Sequence, residues 1–243
     1  KVFESMTTQK GTFTNCGVQH VQNPTTFEIT LDQVAFLSAL RVVEHPHLST
    51  ATAEEKCVAE LAQLFISLLG AIAYATHTRV DVMVFIVALQ RRSHDPEVQH
   101  VRKLNKLLRW VQRHPKKLCY RRMSPEHTHL RIISDAAFKK ETEKGHCLRG
   151  VLYLRAPGVQ TESLVATKVD TPVHVLDWVC KNQRHVTRST FAAELFSAGD
   201  AVDQGLLLSQ LMHEVSCGPM TAVEARAQRV RGQFKFPQVL CVD

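Results

Sequence analysis

The chain of 243 residues contains no Cys-x-x-Cys pair, and its seven cysteines, at 16, 57, 119, 147, 180, 217 and 241, form an odd, scattered set. That spacing argues against a zinc ribbon and a disulfide framework, and it suits a reducing, intracellular compartment. No run reaches the roughly 20 apolar residues that a membrane-spanning helix needs. The most apolar stretch, Leu61 to Ala75, resumes only at Val80 after Thr76-His77-Thr78-Arg79. Two buried helices are therefore expected, and no membrane partner. The opening Lys1-Val2-Phe3-Glu4-Ser5-Met6 has no initiator methionine at position 1 and no basic segment followed by an apolar run. It reads as part of a longer polypeptide without a secretory leader. Internal repeats and low-complexity tracts are absent as well.

What is present is ordinary globular composition, 44% hydrophobic and 22% charged residues, with a formal net charge of +7. Disordered and collagen-like classes are excluded, and the charge favours an anionic partner, nucleic acid before membrane. The excess is local. Between Arg91 and Arg122 the basic residues 91, 92, 102, 103, 106, 109, 113, 116, 117, 121 and 122 face only Asp95 and Glu97. Within that segment a helix opening at Asp95-Pro96 and ending at His114-Pro115 carries one apolar stripe, Val101, Leu104, Leu108 and Val111. Its other stripe, Arg102, Lys106, Arg109 and Arg113, is the candidate polyanion contact. The alternative is a solvated helix face.

Around that helix the pattern predicts two domains, 1–123 and 124–243. In the first, Thr12 to Gln22 and Thr26 to Asp32 read as a β-hairpin across Asn23-Pro24-Thr25, followed by helices over Leu31–Leu40, Glu54–Tyr74 and Asp81–Arg91. Gly70 is expected to allow close helix packing. In the second, strands over His129–Phe138, His146–Arg155 and Val173–Trp178 precede a helix capped at Ser189-Thr190 and running to about Val215, then a strand from Gln238 to Asp243. The order β-β-β-α-β implies a mixed sheet, an α/β or α+β arrangement. His45-Pro46-His47 and His127-Thr128-His129 read as loop histidines, since neither pair has a cysteine or carboxylate companion at zinc spacing.

Two of those strands end in an aspartate, Asp135 and Asp243, and the helix between them carries Glu194. Glu194 falls on a stripe with Phe191, Ala198, Ala201, Gly205, Leu208 and Met212, a face expected to meet the sheet. Asp200, on the stripe of Ala193, Ser197 and Gln204, is expected to be solvated. Carboxylates held about 5 Å apart repel by roughly 3 kcal/mol per pair at an effective dielectric near 20, so clustering three of them calls for divalent cations. On spacing alone, aspartates that merely end strands, with Glu194 paired to an arginine, remain an open alternative.

Residues 130 to 243 resemble the ribonuclease H domain of copia-type retroelement polyproteins. Ser134-Asp135-Ala136 is similar to the first strand end, Trp178 with Lys181 and Gln183 to the third-strand signature, Ser189-Thr190-Phe191-Ala192-Ala193-Glu194 to the helix start, and Val242-Asp243 to the next acidic strand end. Upstream, Thr14-Asn15-Cys16-Gly17-Val18 with Ile29-Thr30-Leu31-Asp32-Gln33, then Ser67 to Tyr74 with Thr78-Arg79-Val80-Asp81, and His100 to Trp110, resemble the stretch that follows the polymerase palm. Val80 stands where the family usually has proline, and Phe191-Ala192-Ala193 replaces a more polar run. The resemblance implies a reverse transcriptase thumb/connection-like region over 1–123 and a truncated ribonuclease H-like domain over 124–243. It also implies that Asp135, Glu194 and Asp243 hold two Mg²⁺ ions, with Mn²⁺ as a substitute, about 4 Å apart and hydrolyse the RNA strand of an RNA–DNA hybrid. The remainder of the polyprotein, its palm upstream and a fourth acid beyond Asp243, would be a further partner. By the same resemblance the isolated fragment should be inactive, and a catalytically incomplete nucleic-acid-binding remnant is the alternative.

Overall fold

Cα proximity divides the computed structural model into two units, Lys1–Arg122 and Met123–Asp243; the structure describes residues 8–124, 128–137, 148–158, 172–183 and 189–242. The chain is mixed α and β, with two sheets and seven α-helices among the described residues.

The first unit opens with a meander of three short strands, β1 (Thr12–Asn15), β2 (Val18–Gln22) and β3 (Ile29–Asp32). The run Thr12–Gln22, expected as one strand, breaks at Cys16 and Gly17, whose φ values of 46° and 69° form the left-handed turn that suits a two-residue hairpin. The second turn is held by the Asn23 side chain, whose Oδ1 accepts the N–H groups of Thr25 and Thr26, each at 2.9 Å. Helices α1 (Val34–Ala39), α2 (His47–Thr50), α3 (Ala59–Tyr74), α4 (Met83–Gln90) and α5 (Val98–Arg113) follow, and β4 (Leu118–Tyr120) returns to pair with β3. Leu61, Phe65, Leu69 and Ile72 of α3 pack with Val101, Leu104, Leu108 and Val111 of α5 in one core. Each such burial contributes about 1.5–3 kcal/mol. By length and composition Ala59–His77 could also cross a membrane, but its buried side is this core.

Helix α3 begins five residues later than the pattern Glu54–Tyr74 suggests. The carbonyls of Ala53 and Glu55 are committed elsewhere, accepting from Gln99 and Val98 at 2.9 Å each and so closing the first turn of α5. At that same end His100 Nδ1 accepts the Glu97 N–H at 2.9 Å. Burial is the main cause that holds this imidazole below its usual pKa. Asn105, buried in α5, both donates to Val43 O and accepts from Val43 N at 2.8 Å, an amide standing in for a strand partner. Gly70 is exposed, with open space where a Cβ would sit, so the expected close packing is not found there.

The second unit is a four-stranded sheet. Strands β5 (Thr128–Ala137), β6 (Leu148–Pro157) and β7 (His174–Asn182) are antiparallel neighbours, and β8 (Gln238–Cys241) lies parallel to β5, giving the order β7-β6-β5-β8. Between β7 and β8 in the chain come α6 (Thr190–Cys217) and α7 (Ala222–Arg231). Ser189 caps α6 by accepting the Ala192 N–H at 3.1 Å. Helix α7 is an addition to the expected elements, although its Thr221-x-x-Glu224 capping box is a recognisable helix start.

The face of α6 that meets the sheet is Ala193, Ser197, Ala201, Gly205 and Ser209, all buried. Of the expected stripe, Ala201 and Gly205 are buried there and Leu208 and Met212 pack against the same core, whereas at the N-terminal end Ala193 and Ser197 take the inner positions and Phe191 is 76% exposed. Small residues win because they let the helix axis lie close on Ile132, and the sheet supplies partners for the hydroxyls. Ser134 Oγ and Ser197 Oγ are 2.8 Å apart, Tyr153 Oη donates to Ala201 O at 3.2 Å, and Gln238 Nε2 donates to Ser209 Oγ at 3.2 Å. Burial, then the nearby Asp177, push the Tyr153 phenol up to about 12.

A methyl group on Gly205 would overlap Ile132 Cδ1 and crowd Gln238. Gly205→Ala should therefore cost about 1–3 kcal/mol by overpacking, while Gly70→Ala, in open space, should add about 0.5–1 kcal/mol of helix stability. Urea midpoints of the two variants check this; equal shifts would reject the close approach at Gly205.

Candidate functional site

Strand β5 alternates strictly over its second half. Ile132, Ser134 and Ala136 are buried on the α6 side, while Ile133, Asp135 and Ala137 are exposed on the other. Asp135 thus projects from the face away from α6, near the C-terminal end of its strand. Glu194, half-buried in the second turn of α6, reaches the same strand end from the helix side: its Oε1 accepts the Ala136 N–H at 3.1 Å. The approach is possible because Ala193 packs against Ala136 and because Ser197 Oγ also donates to Asp135 O at 3.4 Å. Pairing of β5 with β8 runs from Leu130–Gln238 to Ile133–Cys241, so Ala136 lies beyond the last paired residue.

The second oxygen of Glu194, Oε2, is buried without a hydrogen-bond partner among the described residues. A carboxylate oxygen withdrawn from water and left without a donor is costly. A divalent cation, which prefers oxygen ligands, would relieve that cost. Asp135 and Glu194 therefore flank one strand end, the first from the solvent side and the second through the Ala136 amide. Ile133 and Cys241 are register partners, and each precedes an aspartate by two residues, Asp135 and Asp243. Asp243 lies outside the described residues, and among those described no three His, Cys, Asp or Glu side chains form a group able to hold a metal.

Asp200 is exposed, as expected, but it is not simply solvated. It forms an ion pair with Arg149, whose side chain is 8% exposed. Its neighbours Ala193 and Ser197 belong to the buried face. His129, read from sequence as a loop residue, is buried in β5 beside Thr128, and His127 lies outside the described residues. Burial, then the nearby Arg131, lower the His129 pKa.

On α5 the second candidate surface is exposed along its length: Arg102, Lys106, Arg109 and Arg113 all face solvent. They are not equivalent. Arg102 Nη2 donates to Leu48 O at 2.7 Å and Ala51 O at 3.0 Å, tying the α2 segment to α5. Arg113 Nε bonds the carbonyl of Arg109 at 3.1 Å within the helix. A groove of about 300 Å³ bordered by Val43, His45, Leu48, Arg102 and Arg109 lies along this face.

The Thr78-Arg79-Val80-Asp81 segment holds a buried charge. Arg79, 1% exposed, pairs with both oxygens of Asp81 at 2.9 and 3.0 Å, donates to Val111 O at 3.2 Å and lies over the Trp110 ring, 5.5 Å from its centroid. Burial pushes the Asp81 carboxyl upward, but hydrogen bonds from Arg79 and Lys116 outweigh it and hold the pKa below its usual value. Thr78, next to it, donates to Gln33 Oε1 at 3.1 Å. The Thr78-Arg79-Val80-Asp81 segment is thus a structural clasp.

No protein-family model, curated protein or solved structure matches this chain.

Proposed function

We propose that this chain is part of a copia-type retroelement polyprotein, with a thumb/connection-like region followed by a ribonuclease H-like domain that hydrolyses the RNA strand of RNA–DNA hybrids. The observation that carries the reading is the sheet: three antiparallel strands in chain order, a helix, and a fourth strand parallel to the first. The helix brings Glu194 to the amide of Ala136, directly after Asp135.

In this reading Asp135, Glu194 and Asp243 hold Mg²⁺, and Mn²⁺ can replace it. When bound, the ions would supply an activated water and stabilise charge on the scissile phosphate. Glu194 is oriented by the bond its Oε1 accepts, which leaves Oε2 available as a ligand. Asp135, exposed on a rigid ladder, is the group open to an incoming strand. The stripe Lys106, Arg109 and Arg113 would follow phosphates without reading bases. Arg102, committed to Leu48 and Ala51, would act more as a brace than as a contact.

The competing reading is a binding remnant that has lost metal chemistry. It is favoured by the exposure of Asp135 on the face away from α6.

In a chain carried past Asp243, Asp135→Asn or Glu194→Gln should abolish Mg²⁺-dependent cleavage of a labelled hybrid while hybrid binding persists. Retained cleavage in either variant rejects the nuclease assignment. Replacing Lys106, Arg109 and Arg113 together with glutamate should weaken hybrid binding and lower the slope of log K against log salt by about 0.9 for each phosphate no longer neutralised. An unchanged slope leaves the stripe as solvated surface.

A further inference from the structure

Helix α5 ends in a row of rings beside a row of cations. Trp110 and His114 stand one helical turn apart, as do Arg109 and Arg113, and the two rows are neighbours on the helix surface. The rings are stacked, with centroids 4.8 Å apart and planes 26° from parallel. His114 is fixed in that pose at a second point, since its Nδ1 donates to Trp110 O at 2.8 Å. Both side chains lie at the surface: Trp110 is 37% exposed and His114 is exposed.

The inward side of this stack is already occupied. Arg79, almost fully buried, lies over the Trp110 ring, and Lys116 Nζ is 6.0 Å from the same centroid. Both cations are also committed to Asp81. The ring surface left open to an incoming group is therefore the outer face of His114. The cations of the outer row are differently placed. Arg109 is exposed, and its guanidinium has no partner among the described residues; Arg113 is bonded only through Nε, to Arg109 O. Helix α5 contains no acidic residue to offset them.

A ring face beside unneutralised cations is the combination that holds unpaired nucleic acid, because every base has a π-face and every linkage a phosphate. A base inside a duplex has both faces covered by its neighbours and cannot use the ring. We propose that the C-terminal end of α5 binds single-stranded nucleic acid, with one unpaired base stacked on the outer face of His114 and its flanking phosphates on Arg109 and Arg113. The proposal rests on the reading of α5 as a surface that follows phosphates, and it involves neither metal nor cleavage.

The test compares a short oligo(dT) strand with an abasic strand of equal length, which has the same phosphates and no bases, against the full chain in EDTA. A Trp178→Phe background leaves Trp110 as the one tryptophan, so its fluorescence reports the site. Oligo(dT) should bind about tenfold tighter than the abasic strand and quench Trp110, as stacking of one base on a ring does. His114→Ala should remove that preference without changing affinity for the abasic strand, and His114→Phe, which keeps a flat ring, should restore it. Equal, salt-sensitive binding of both strands would overturn the stacking site while leaving the basic stripe as a phosphate contact. Binding of neither strand would overturn both, and a preference for oligo(dT) that survives His114→Ala would overturn the placement of the base on His114.

Discussion

The second unit depends on how closely α6 lies on β5. The helix offers the sheet Ala193, Ser197, Ala201, Gly205 and Ser209, one small residue per turn, and Ile132 fills the space a side chain on Gly205 would need. Apolar burial on such a face is modest per residue, so the contact relies on shape and on hydrogen bonds to Ser134, Tyr153 and Gln238. The functional consequence is geometric. A bulkier stripe would lift the helix, and Glu194 would no longer reach the amide of Ala136.

The first unit has a different anchor. Arg79 is almost fully buried, and its guanidinium ties Asp81, the end of α5 and Trp110 together. Removing one partner of a buried pair leaves a charge that costs about 3–5 kcal/mol. Lys116 reinforces the same carboxylate from 3.2 Å. The basic stripe of α5 is presented from this rigid base, with Asn105 and Gln112 fastening the helix to the backbone of residues 37–43.

Elements with strong periodicity are legible in the sequence. The four core positions of α5, the extent of β5 and the Ser189 cap follow from spacing and from capping chemistry. The buried side of α6 does not, because apolar residues surround that helix. Leu195, Leu207 and Leu211 are all at least half exposed, so hydrophobicity cannot distinguish the inner face from the outer. Size is the usable signal, as small residues recur there every fourth position. Strand β4 has three residues and no pattern of its own; it exists because β3 offers an edge. At the candidate site, Asp135 and Glu194 can be named from their positions, whereas the bond that orients Glu194 is a product of the helix–sheet distance. The Arg149–Asp200 pair is hidden for the same reason, since it joins residues 149 and 200 across that interface.

The proposed function rests on a cation site at the end of β5, with Asp135 and Glu194 as its ligands. Titration with paramagnetic Mn²⁺ tests it without requiring turnover. The account predicts selective broadening of the amide signals of residues 134–137 and 193–195 at low metal concentration, abolished in Glu194→Gln. Broadening spread evenly over exposed carboxylates, or unchanged in the variant, would contradict it.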